Sequence, residues 1–149
     1  IMATLKVKIQ EDIILDNQNY GSRRTLEIAS IDEFEKRIVT CPASTATTLI
    51  SFADAITGTS VKIDTQDTKY IRITNLDSSN SIEISVIGEN SNYQVRLDAG
   101  NSHILGSAEA LMLSEEDTSP SFGTMEDLTK IGAYPGGNAV SLEVVVASA

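Results

Sequence analysis

The chain has 149 residues, the size of one domain at about 150 residues each, and a chain this long buries enough surface to fold without a disulfide or metal. Acidic residues outnumber basic ones 21 to 11, a formal charge of −10 that argues against a nucleic-acid or anionic-membrane binder, which needs a basic face. One cysteine, Cys41, excludes an internal disulfide and any multi-cysteine metal centre, and one histidine, His103, excludes chemistry that needs two.

Alternation with period two dominates the chain from its start. Leu5, Val7 and Ile9 alternate with Lys6, Lys8 and Gln10, and Leu26 and Ile28 flank Glu27. Ser30-Ile-Asp-Glu33 has the spacing of a capping box, so a short helix carrying Phe34 and Ile38 competes there with a strand over Glu33–Cys41. Strands follow at Thr47–Phe52, around Val61 and Ile63, and at Tyr70–Leu76, Ile82–Val86 and Tyr93–Leu97. Shorter runs at Asp12–Leu15, Ser102–Leu105 and Ala110–Leu113 are weaker candidates. Turn residues at Asp77–Asn80, Gly88–Asn92 and Ala99–Asn101 predict consecutive hairpins, hence an antiparallel meander over Lys69–Leu105. Thr124-Met-Glu-Asp127 resembles a second capping box ahead of Leu128 and Ile131, and Val140–Val146 closes the chain as a strand.

This pattern predicts an all-β fold: one antiparallel two-sheet β-sandwich domain over residues 1–149, jelly-roll-like. The immunoglobulin alternative lacks its cysteine–tryptophan core, because the chain has no tryptophan. A long connection is expected from Ser114 to Asn138, with the acidic tip Glu115-Glu116-Asp117 and, amid polar residues, Phe122, Met125 and Tyr134. Connections of that length are commonly functional arms, and an arm reaching a neighbouring subunit would use those three residues for partner binding; the alternative is a surface loop pinned by one short helix.

Motifs for chemistry are weak. Ser102 and His103 are adjacent, so on a strand they face opposite ways, and no Gly-x-Ser-x-Gly elbow surrounds the serine. Cys41 has no candidate base except that same histidine and is expected to be a buried, inert thiol. Asp64–Asp67 and Asp77–Asn80 offer oxygen ligands, but Asx-turns explain both without calcium. A glycosidase would need aromatic platforms, and seven aromatics supply them poorly. The expectation is a protein that is not an enzyme, with no catalytic, cofactor or metal site.

Tyr70–Ile84 and its continuation Tyr93–Leu105 resemble small β-sandwich virion proteins of tailed phages. There a tyrosine-x-arginine-isoleucine-x-asparagine strand, a turn, two strands and a glycine-x-serine recur, and Leu128–Ile131 followed by Leu142–Ala147 is similar to their closing strands. The resemblance implies a capsid decoration or cement protein that docks on the assembled head and stabilises it by bridging subunits. It implies the major capsid protein or other virion proteins as partners and a homo-oligomer on the particle. The location implied is the outer surface of the head, and the host cytoplasm during assembly. A tail, neck or fibre-base component and a cellular β-sandwich binding module are the alternatives. Contacts to neighbours would come from the Met2–Gln10 strand or the Ser114–Asn138 arm.

Overall fold

The computed structural model describes residues 2–53, 62–115 and 118–149. The chain forms β1 (Ala3–Glu11), β2 (Ile14–Leu15), β3 (Gln18–Asn19), β4 (Ser22–Ile31), β5 (Glu33–Cys41), β6 (Thr47–Ala53) and β7 (Ile63–Asp64). It continues with β8 (Thr68–Asn75), β9 (Ile82–Gly88), β10 (Asn92–Leu97), β11 (Ser102–Leu105), β12 (Leu128–Pro135) and β13 (Val140–Ser148).

Two sheets make the body, in the orders β10-β9-β12-β6-β7 and β11-β8-β13-β5. Leaving the short β7 aside, each sheet has four antiparallel strands, and the chain passes repeatedly from one sheet to the other. That is the strand order of a jelly roll, which matches the all-β sandwich expected from the alternation. Alternation delivers one face of each strand to the space between the sheets. Ile71 and Ile73 on β8, Ile82, Ile84 and Val86 on β9, Ile131 on β12, and Leu142 and Val144 on β13 meet there, all buried. Each such side chain contributes about 1.5–3 kcal/mol relative to exposure.

Four local expectations are corrected. Ser30–Glu33 starts no helix: Ser30 takes φ 61°, Asp32 N–H donates to the Ser148 carbonyl, and the chain turns a corner into β5. The spacing of Phe34 and Ile38 there belongs to one face of a strand, because β5 pairs along its whole length with β13. Thr124–Asp127 is likewise not helical; Glu126 bridges to Met112 and the chain runs directly into β12. The expected Ser114–Asn138 connection therefore contains a central strand, between β9 and β6, and the arm itself ends at Asp127. Lys69–Leu105 is not a meander: β9 and β10 form a hairpin, but β8 and β11 lie in the opposite sheet. Alternation is the same for a hairpin partner and for a strand in the facing sheet, so the pattern could not separate them. Of the weaker runs, Ser102–Leu105 is β11, and Ala110–Leu113 makes only the bridge at Met112. Val61 lies outside the described residues; its partner in the pattern, Ile63, starts β7.

Buried Asn75 pins the two crossovers together. Its side-chain amide donates to the carbonyls of Asn80 (2.8 Å) and Leu97 (3.0 Å), and its side-chain oxygen accepts Asp77 N–H (2.9 Å). Asp77 in turn accepts Ser79 N–H and Asn80 N–H, at 2.9 and 2.7 Å. Those bonds to its carboxylate from Asn80 and Ser79 hold the Asp77 carboxyl below its usual range.

Candidate functional site

A β-ribbon stands apart from the sandwich. β1 pairs with β4 from Ala3↔Ile31 to Glu11↔Ser22, and at nine residues β1 is about 30 Å long. β2 and β3 continue the ribbon to a two-residue turn at Asp16 (φ 50°) and Asn17 (φ 62°). Both residues take the left-handed conformation a type I′ turn requires, where Asp and Asn are favoured. Gly21 is fixed by close approach: a Cβ there would lie 1.8 Å from the Glu11 carbonyl oxygen.

The register puts Leu5, Val7 and Ile9 on one face with Ile28, Leu26 and Arg24. At the base, Leu5, Val7 and Ile28 pack on Ile31, Tyr70, Val145 and Ala147, on the outer face of the four-stranded sheet. Beyond them the apolar residues are uncovered: Ile9, Ile13, Ile14, Leu15, Tyr20 and Leu26 are each at least half exposed. The charge divides in the same way. Residues 2–31 carry four basic and four acidic side chains, so the whole charge of −10 sits on the remainder.

A groove of about 370 Å³ runs along β1 at Leu5–Ile9, with Tyr70, Arg72 and Val145 as floor and Phe34, Lys36 and Ile104 beside them. β1 pairs only with β4 among the described residues, so its groove-side edge is open. Arg72 Nη2 donates to Glu143 Oε1 at 2.6 Å and Lys36 lies 3.8 Å from Glu143 Oε2. The Arg72 hydrogen bond first, with help from the nearby charges of Lys36 and Arg72, holds the Glu143 carboxyl below its usual range.

The three residues expected to bind a partner lie in two places. Phe122 is 92% exposed, in a stretch exposed from 118 to 125. Met125 is 42% exposed near the root of that arm, close to Phe52 and Leu128. Tyr134, 43% exposed, sits on the outer face of the five-stranded sheet opposite Glu83 on β9, at the far end of β12. The structure thus groups Phe122 with Met125 and sets Tyr134 apart. Glu116 and Asp117 of the expected acidic tip lie outside the described residues. The arm is rooted by Glu126, whose Oε2 accepts Ser91 Oγ–H at 2.5 Å and Asn90 N–H at 3.0 Å. These bonds, the Ser91 hydroxyl first, hold its carboxyl below the usual range.

Residues singled out for chemistry are placed as structural groups. Ser102 points outward to the Thr74 hydroxyl (2.7 Å), whereas His103 points inward to the Tyr93 hydroxyl (3.0 Å), so the two form no dyad. Burial pushes the His103 imidazole below its ordinary value and the Tyr93 phenol above its own. Cys41 is fully buried, and burial raises its thiol pKa. Asp64 accepts Gln66 N–H at 2.9 Å in an Asx-turn, as Asp77 does with Ser79. Among the described residues no three His, Cys, Asp or Glu side chains are grouped to hold a metal. A cleft of about 620 Å³ at the open side of β5 and β6 is lined by Asp32, Glu33, Glu35, Asp64 and Asp67 with Arg37 and Lys62, and by no aromatic ring.

Both long strands of the ribbon are legible in the alternation, but their pairing and the arm they make are not. The available signal was Leu15-Asp-Asn-Gln18, a two-residue turn between apolar runs.

No protein-family model matches the chain, and no curated protein sequence matches it. A solved chain described under "Bacillus endospore appendages form a novel family of disulfide-linked pili" is similar at a TM-score of 0.45 and 10% identity, over 77% of this chain and 83% of that one.

Proposed function

We propose that this chain is a non-enzymatic structural protein of a tailed-phage virion: a decoration or cement protein that docks on the assembled head and stabilises it by bridging capsid subunits. The observation that carries the reading is the ribbon, whose outer half presents six large apolar side chains to solvent. A lone two-stranded ribbon is marginal in water, and an exposed apolar strand pair invites partners. Such an element is maintained where a partner covers it. The jelly roll supplies the rigid body behind it, and the ribbon is the part of the molecule free of the body's excess negative charge.

Binding the assembled shell and not its dissociated subunits stabilises the shell by mass action. The excess negative charge of the body keeps free subunits soluble and off the packaged genome, which suits the outer surface of the head. The acidic cleft has no stacking platform for a sugar, which weighs against the binding-module alternative.

The test is co-sedimentation of the purified chain with emptied heads of the phage that encodes it. Saturable binding in hundreds of copies per head is expected. Binding to isolated tails or necks alone would move the protein to those structures, and binding to no particle would overturn the reading.

A further inference from the structure

We propose that β5 is a dimerisation edge: two copies of this chain join their four-stranded sheets antiparallel along Glu33–Val39, about a two-fold axis at Lys36. The inference goes beyond docking on the head, since it concerns how copies contact one another and is tested without heads.

The edge itself comes first. Among the described residues the two sheets of the body end on β10, β7, β11 and β5, of six, two, four and nine residues. Shortness keeps an open edge from pairing, as do prolines and bulges. β5 has none of these devices. It contains no proline, and it pairs on one side with β13 from Glu33↔Ser148 to Cys41↔Val140 without a register shift. Its other side pairs with no strand among the described residues.

Side chains along β5 suit a copy of itself. Leu142, Val144 and Val146 of β13 lie in the core, so their partners Val39, Arg37 and Glu35 turn inward, and Phe34, Lys36 and Ile38 turn outward. Phe34 is 55% exposed and Ile38 66%, and neither belongs to an apolar cluster of the fold. On the inward row Glu35 precedes Arg37, with 2.7 Å between their charged groups. Inward charges ordinarily guard an edge. Here an acid followed by a base meets a base followed by an acid on an antiparallel copy, so the charges invite the pairing.

The same residues set the register. Copies that keep their cores on one side of a joint sheet are related by a two-fold axis perpendicular to it, through a single residue of β5. With the axis at Lys36, Glu35 stands opposite Arg37 of the other copy and Phe34 opposite its Ile38, and each pair occurs twice. An axis at Glu35 would set that carboxylate against itself and Phe34 against Lys36. An axis at Arg37 would oppose two guanidinium groups and set Phe34 against Thr40. Opposite charges and apolar pairs across strands stabilise, and like charges destabilise. Lys36 does meet its own copy on the axis, where Glu143, 3.8 Å from Lys36, supplies the counter-charge on both sides. The result is one sheet of eight strands, an ordinary size, and an isologous contact that closes at two copies.

Sedimentation from micromolar to millimolar concentration is expected to show the mass rising to twice that of the monomer and no further. Glu35→Arg and Arg37→Glu each turn two attractive cross-strand pairs into repulsive ones and weaken dimerisation about tenfold or more. Mixed one to one, these two variants pair with each other, and the chain carrying both substitutions dimerises again, because either arrangement restores opposite charges. Lys36→Cys reads the register independently of those charges. Directly opposite Cα atoms are about 4.5–5.5 Å apart, within disulfide reach, so added oxidised glutathione links this variant into a covalent dimer. Phe34→Cys does not link, since its two copies stand about 14 Å apart along the strands. Native Cys41 is fully buried and adds no cross-link. A constant monomer mass, growth past the dimer, a mixture of the single variants that stays monomeric, or Phe34→Cys linking as readily as Lys36→Cys would each overturn the proposal. None of these outcomes bears on binding to heads, which is scored separately.

Discussion

Replacing Asn75 probes the join that makes this chain a jelly roll. In Asn75→Ala three side-chain hydrogen bonds vanish, to Asn80, Leu97 and Asp77, from a position with no solvent exposure. At about 0.5–1.5 kcal/mol net for each, with up to about 1–3 kcal/mol more where a buried group is left unpaired, the loss comes to about 4 kcal/mol. A domain's whole stability is about 5–15 kcal/mol, so this variant forfeits a large share of it. At about 2–4 °C per kcal/mol for a domain of this size, the melting temperature falls by roughly 8–16 °C. Asn75→Asp is informative because it keeps size and shape. It still accepts Asp77 N–H but turns a carboxylate towards two carbonyl oxygens, so near neutral pH it is less stable than Asn75→Ala. Lowering the pH narrows that gap as the carboxyl takes up a proton and regains one donor. Urea titrations of the three proteins at two pH values read all of this. A loss under about 1 kcal/mol in Asn75→Ala, or equal stability of the two variants at neutral pH, would refute the role given to this side chain.

Three further outcomes follow from the geometry. Gly21→Ala places a Cβ 1.8 Å from the Glu11 carbonyl oxygen, so backbone amide shifts should change between residues 10 and 23 while the sandwich melts as before. His103 is half-buried beside Tyr93 and its folded pKa lies below the unfolded value, so the unfolded state binds the proton more readily. Its contribution is therefore complete above the unfolded pKa of about 6.5 and is lost as pH falls below it, and His103→Gln should flatten that slope in melts from pH 7 to 5. Cys41 is fully buried with its thiol pKa raised, so a maleimide should label it only at the rate of unfolding and faster in urea.

The fold class was legible because burial on one face of a strand imposes alternation, a rule that runs the whole length of β9 and fails where the ribbon's base also covers the outer face, at Tyr70 on β8 and at Val145 and Ala147 on β13. What alternation cannot carry is the identity of the partner strand. Asp77–Asn80 reads as a hairpin turn, yet Asn75 uses the same residues to send the chain across to the facing sheet. The false capping box at Ser30 has the same origin: four residues compatible with a helix start also suit a corner once β13 offers β5 a full-length partner. Phe122 was legible as an apolar residue out of place. The ribbon was not, since Ile9, Leu26, Ile14 and Tyr20 look like core residues until their exposure shows that no second layer packs on them. An uncovered apolar face and a buried one share a sequence pattern, and only the geometry separates them.

Backbone hydrogen exchange of the chain, free and bound to phage heads, tests the role of the ribbon most directly. The account predicts slowed exchange on binding across residues 8–27, where open strand edges and the uncovered apolar face meet the shell, with the inner strands of the sandwich unchanged. Bound chain whose ribbon exchanges as fast as in the free protein would contradict it.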